Sequence, residues 1–194
     1  MLEDLGPTYV KVGQMLATRG DVLPEAWNVE LATLQTSAKP FPWDDVRSVI
    51  IAELGGPPEV LFGSIDPVPF AAASTAQVHR ATLPDGTPVV VKVQRPGIGS
   101  TTRADLGVLQ QLAAVAEQRF AVARRAGATD IVDAFADSVL EELDFRTEAY
   151  NARRLADAMA RVPEVEVPTV YREWSSQHIL TETGIGYRLR APDG

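Results

Sequence analysis

The run Val89-Val90-Val91-Lys92-Val93 limits the fold more than any other stretch of the chain. Four β-branched residues in five favour a strand, yet a lysine stands in the middle, and a buried ammonium needs a partner. Residues 74–82 read as a second strand. It joins the first through Leu83-Pro84-Asp85-Gly86, whose Asp-Gly pair marks a hairpin turn. Ahead of the hairpin, Ile65-Asp66-Pro67-Val68-Pro69-Phe70 is extended by proline geometry. Residues 165–171 and 178–181 read as a closing pair of strands.

Helical spacing dominates elsewhere. Leu5, Tyr9, Val12 and Leu16 share a face after Gly6-Pro7, and Trp27, Leu31 and Leu34 form a second stripe. A third helix spans about 44–54 and ends at Gly55-Gly56-Pro57-Pro58. From about 101 to 125, Leu106, Leu109, Leu112, Ala116 and Phe120 line one side, and a further helix covers 130–142. Asp144 is a natural N-cap for a helix reaching about residue 160, with Phe145, Ala149, Ala152, Ala156 and Met159 facing inward. Glu148 lies on the edge of that apolar face, so its carboxylate is poised to point inside.

Composition removes several functions. The chain has 194 residues, enough for about one domain, and no cysteine, which excludes disulfides, thiolate nucleophiles and zinc-thiolate sites. Its only histidines, His79 and His178, are far apart, so a histidine metal cluster is not expected. The net charge of −8 argues against a sequence-independent grip on nucleic acid. No apolar stretch reaches membrane-spanning length, and a cytoplasmic protein is expected.

Neither G-x-x-x-x-G-K-[ST] nor G-x-G-x-x-G occurs. In their place stands Phe70-Ala71-Ala72-Ala73-Ser74-Thr75-Ala76, whose alanines resist the positive φ angles that glycine visits freely. Alone, such a tract reads as packing. Two readings of Lys92 and Glu148 stay open at this level. Either the strand lysine meets anionic phosphates while the helix glutamate orients it, or Lys92 snorkels from an edge strand and Glu148 is solvated.

Four motifs in order carry a resemblance: Lys11-Val12-Gly13-Gln14; Ala71-Ala72-Ala73-Ser74 with Ala76-Gln77-Val78-His79; Val91-Lys92-Val93-Gln94-Arg95-Pro96-Gly97; and Glu141-Glu142-Leu143-Asp144-Phe145 with Glu148-Ala149. The chain resembles the UbiB/AarF family of atypical protein-kinase-like proteins from about residue 5 to residue 180. The resemblance implies an α+β fold: a kinase-like N-lobe with a small antiparallel sheet and an αC-type helix, preceded by a helical K-x-G-Q extension. Domains are expected at 1–63 (extension), 64–183 (N-lobe, with inserted helices at about 101–142) and 184–194 (a tail unlike the family). Nucleotide-binding residues would be Ala71, Ala72, Ala73, Ser74, Lys92 and Glu148. Lys11, Gly13 and Gln14 of the extension would meet the E-x-D residues Glu142 and Asp144 across the cleft.

The resemblance also implies ATP or ADP with Mg2+ for intact relatives, and links them to isoprenoid quinone biosynthesis. Other partners would be membrane or quinone-pathway proteins, engaged through regions outside this sequence, and the intact protein would be membrane-peripheral. The catalytic-loop aspartate, metal-binding asparagine and D-F-G-like aspartate of complete members have no counterpart in these 194 residues. A truncated protein without Mg2+ ligands, inactive alone, is therefore expected. The alternative is a non-enzymatic, acidic helical adaptor.

Overall fold

A computed structural model describes residues 8–9, 39–162, 165–184 and 188–189. The chain divides into two compact units, Met1–Ser37 with Gly97–Glu141 and Ala38–Pro96 with Glu142–Gly194.

The second unit is built on an antiparallel sheet. Strands β3 (Ala76–Thr82) and β4 (Pro88–Gln94) form the predicted hairpin. Its turn closes with the Gly86 N–H donating to the Leu83 carbonyl at 2.9 Å, and Gly86 takes φ 87°, a left-handed value that glycine adopts without a Cβ clash. Strand β6 (Ile179–Thr183) pairs with β4 on its other side, so β4 is an interior strand. Two short segments, β1 (Ser64–Ile65) and β2 (Ala71–Ala72), run along the free side of β3 as one interrupted edge. Between them lie Pro67 and Pro69, which cannot donate to a ladder and belong where a strand breaks.

Each face of this sheet has a cover. On one, Val89, Val91, Val93, Ala81 and Ile179 pack with Val46 and Ile50 of α1 (Trp43–Leu54), together with Phe41 and Phe62. A four-residue helix, α2 (Pro58–Leu61), follows α1. The other face carries Ala76 and Leu180 against Phe145 and Ala149 of the long helix that begins at Phe145.

The first unit contains α3 (Ile98–Arg119), α4 (Ala121–Ala126) and α5 (Ala128–Glu142), the last residue falling at the unit boundary. Leu106 and Leu109 of α3 pack on Phe135, Ala136, Val139 and Leu140 of α5. The single helix expected to about residue 125 instead stops at Phe120, which is extended at φ −123°, ψ 120°. Leu112 and Phe120 are exposed at 60% and 65%, because the buried stripe runs through Leu106, Leu109 and Ala113 and leaves those two positions turned away.

Helix α6 (Phe145–Met159) returns the chain to the second unit. The expected strand over 165–171 is also corrected. Only Val165–Glu166 is a strand, β5, and it pairs with β7 (Arg188–Leu189), while Val170 makes a single bridge to Glu182. A 3-10 turn at Arg172–Trp174 separates these residues from β6.

Candidate functional site

Register alone assembles the site. Ala71 pairs with Val78, Val78 with Lys92 and Lys92 with Leu180, so these four residues form one row across β2, β3, β4 and β6. Directly paired residues share a face. Two strand spacings of about 4.8 Å put Ala71 and Lys92 about 10 Å apart. The next row is Arg80, Val90 and Glu182.

Lys92 is not on an edge strand, which removes the snorkelling reading. Its Nζ donates to Glu148 Oε2 at 2.7 Å and stands 4.7 Å from the centre of the Phe145 ring. Phe145 and Glu148 are three apart on α6, so one helix face supplies both contacts. The side chains of Lys92 and Glu148 remain 32% and 43% exposed, leaving the ammonium partly accessible to a further anion. A second carboxylate, Glu182, lies on the same sheet face. Burial, reinforced by the nearby Glu148 charge and opposed by Lys92, raises its pKa.

Ala71 and Ala72 lie in β2, and Ala73, Ser74 and Thr75 turn into β3, closed by the Ala73 N–H donating to the Ala76 carbonyl at 2.8 Å. The tract is therefore an edge strand and a tight turn, with no loose loop. Beside the second row opens a cavity of about 890 Å³ whose lining includes Ile65, Phe70, Arg80, Val90, Thr183 and Gly184. The Arg80 guanidinium covers the Phe70 ring at 4.6 Å, fixing an aromatic wall.

The E-x-D residues flank the start of α6. Glu142 ends α5. Asp144 caps α6 by accepting from the Arg146 N–H at 3.0 Å, and also accepts from Arg146 Nε at 2.9 Å. The Arg146 guanidinium first, helped by that backbone bond and by the nearby His178, holds the Asp144 carboxyl below the usual aspartate range. Between these two acids the buried Leu143 is tied to the sheet, its carbonyl accepting from Gln94 Nε2 at 2.6 Å. Lys11, Gly13 and Gln14 lie outside the described residues.

The roles of three groups escaped the sequence reading. Glu182 sits beside Lys92 on β6, and only knowledge of strand pairing could have placed it there. Arg95 donates from its backbone N–H to the Thr75 carbonyl at 2.8 Å and from Nε to the Ser74 carbonyl at 3.1 Å. Gln77 and His79 are fully buried on the α1 side. Gln77 accepts from the Phe41 N–H at 2.9 Å and stands 3.0 Å from His79 Nε2, while His79 Nδ1 lies 2.8 Å from the Asp66 carbonyl. A carbonyl only accepts and the Gln77 amide nitrogen only donates, so His79 carries its proton on Nδ1, accepts at Nε2 and is neutral.

The chemistry available is that of an anion held at a half-neutralised lysine, with an apolar slot one row away. The lysine offers a cationic donor and the slot an apolar wall on the same sheet face. Among the described residues no group of three or more His, Asp or Glu stands together as a metal site. No helix among the described residues is long and apolar enough to cross a membrane.

Comparison with known proteins gives the same architecture. Residues 33–186 match the ABC1 atypical kinase-like domain. Over 92% of its length the chain is 39% identical to a probable protein kinase UbiB of Marinobacter nauticus, and covers 33% of that protein. An uncharacterised Mycobacterium tuberculosis protein is 41% identical over 92% of the chain, which covers 37% of it. The chain thus spans about a third of the curated relatives it matches. The solved structure of the Rv3197–erythromycin complex from Mycobacterium tuberculosis aligns at TM-score 0.65 and 31% identity, over 95% of this chain and 46% of that one. Its sheet, its helices and its match along most of its length make this chain a member of the ABC1, UbiB-type, atypical kinase-like family, with an α+β fold resembling a kinase N-lobe.

Proposed function

We propose that the second unit is the nucleotide-binding half of an ATP-using, kinase-like protein, with Lys92 meeting the phosphates of ATP or ADP and Glu148 orienting that lysine. The supporting observation is the 2.7 Å pair on an interior strand, half open to solvent and one row from an apolar slot. An interior-strand lysine is a costly place for a charge unless something anionic uses it, and a buried or half-buried pair adds little stability by itself. Ala71, Ala72, Ala73 and Ser74 border the phosphate end. Phe70, Val90 and Gly184 wall the base end.

A bound nucleotide would supply the transferable phosphoryl group, with a divalent cation as its counter-charge. Phosphoryl transfer needs a metal clamp and a group orienting the nucleophile. The motifs that supply both in complete relatives have no counterpart in this sequence, so the 194-residue chain binds nucleotide without turning it over. Lys11, Gly13 and Gln14 with Glu142 and Asp144 gate the cleft in this reading. The wider role in this reading is in isoprenoid quinone biosynthesis at a membrane periphery, with membrane or quinone-pathway proteins as partners. An adaptor would give Lys92 and Glu148 no task.

Two measurements on the whole chain test this. Equilibrium dialysis with radiolabelled ATP should show saturable binding to the wild type, reduced at least about tenfold in Lys92→Ala. Steady hydrolysis should match between the two proteins at background level. Equal retention of ATP by both would overturn the site, and hydrolysis above the variant's would overturn the claim of inactivity.

A further inference from the structure

The alanine tract raises a physical problem that the nucleotide reading leaves open. A glycine loop adapts its backbone to phosphates because glycine reaches many φ, ψ values, whereas alanines restrict it. Something must then hold the turn in one useful shape. Three features of Arg95 converge on it. Its backbone N–H donates to the Thr75 carbonyl at 2.8 Å and its Nε to the Ser74 carbonyl at 3.1 Å. Its Nη2 donates to the Lys39 carbonyl at 2.8 Å, and the guanidinium stands 5.0 Å from the centre of the Phe41 ring. Phe41 is itself pinned to the sheet by Gln77 through both backbone groups, at 2.9 and 3.3 Å. One planar cation therefore staples the turn to a buried, fixed anchor.

Peptide planarity carries the consequence to the site. Each unit is flat and trans, so directing the Ser74 and Thr75 carbonyls at Arg95 directs the Thr75 and Ala76 N–H groups away from it. Of these two successive amides, the Ser74–Thr75 unit is oriented by the Arg95 side chain and the Thr75–Ala76 unit by the Arg95 backbone, so removing the guanidinium frees the first of them. Charge-assisted bonds from a guanidinium are stronger than neutral ones and its fork is already rigid. A lysine could reach one of the two carbonyls the guanidinium bridges, Ser74 and Lys39, but not both.

We infer that Arg95 is the positioning residue of the alanine turn: it substitutes an external arginine clamp for glycine adaptability, and affinity for the phosphate end of the ligand depends on it. This rests on the nucleotide reading, but the clamp has a readout of its own. In Arg95→Ala, hydrogen exchange at the amides of residues 73–76 should accelerate about tenfold or more while those of β4 and β6 hold their rates. Calorimetry on the same chain should then show ADP binding weakened about tenfold, adenosine binding changed less than twofold, and Arg95→Lys between wild type and Arg95→Ala. Unchanged exchange in the turn would overturn the clamp whatever the ligand does. Faster exchange with ADP affinity unaltered, or ADP and adenosine weakened equally, would overturn its role toward the phosphates. Failure of the wild type to bind ADP, with exchange still accelerated, would overturn the nucleotide reading and the phosphate role together, leaving only the clamp.

Discussion

Replacing Lys92 by methionine should change stability little. The stem keeps most of its packing in methionine, so what is lost is the ammonium: its 2.7 Å bond to Glu148 and its contact with the Phe145 ring. Both side chains are about a third or more exposed, at 32% and 43%, and such pairs contribute about 0–1 kcal/mol after solvent screening. The ring contact adds about 0.5 kcal/mol at a site this open. Against this, removal of the cation relieves its desolvation on an interior strand and leaves Glu148 able to reach water. The net loss is about 1 kcal/mol or less, or about 2–4 °C in Tm for a chain of this size. Urea melts of the wild type, Lys92→Met and Glu148→Gln, read by far-ultraviolet circular dichroism, measure it. A loss above about 3 kcal/mol in Lys92→Met would refute the reasoning, because the pair would then be a structural staple and its exposure no sign of a ligand.

Other consequences follow from the same geometry. Burial, partly offset by its contact with Asp66, lowers the His79 pKa below the ordinary imidazole value of 6.5. The unfolded chain therefore binds a proton that the folded chain refuses, and stability present above pH 6.5 falls as the pH drops through and below it, by up to about 1.4 kcal/mol per pH unit from this group. Urea melts at pH 7.5 and 5.5 check the sign; equal or greater stability at pH 5.5 would count against it. Asp144→Ala should cost about 1 kcal/mol through loss of the α6 cap, while Asp144→Asn retains most of it, as thermal melts of the two variants would show. A Cβ at Gly184 would meet Val90 Cγ1 at 3.4 Å, on the cavity wall. Gly184→Leu should thus weaken adenosine binding at least about tenfold with Tm nearly unchanged, measurable by calorimetry.

Local chemistry made part of this structure readable. Asp85-Gly86 announced the hairpin because few residues accept a left-handed φ, and Asp144 announced α6 because a short carboxylate satisfies orphan N–H groups. Lys92 and Glu148 could be placed on facing elements because each broke an apolar pattern. What stayed hidden depends on pairing that sequence spacing does not carry. Segments β1 and β2 are two residues each, too short for alternation to register. The 165–171 stretch looked like one strand because its valines suit β structure, but the chain leaves Val165–Glu166 for β7 and returns only at Val170. Leu112 and Phe120 matched a helical stripe one turn-angle away from the buried one. Arg95 lay in plain view within a recognised motif, but its three carbonyl partners come from two distant segments.

The most direct trial of the account is calorimetric titration of ADP into the 194-residue chain, run beside Lys92→Ala and, as a control for generic loss of charge, Arg153→Ala on the exposed side of α6. Saturable heat in the wild type and in Arg153→Ala, with affinity at least about tenfold lower in Lys92→Ala, is the predicted result. Three superimposable isotherms, or no binding heat in the wild type, would contradict it.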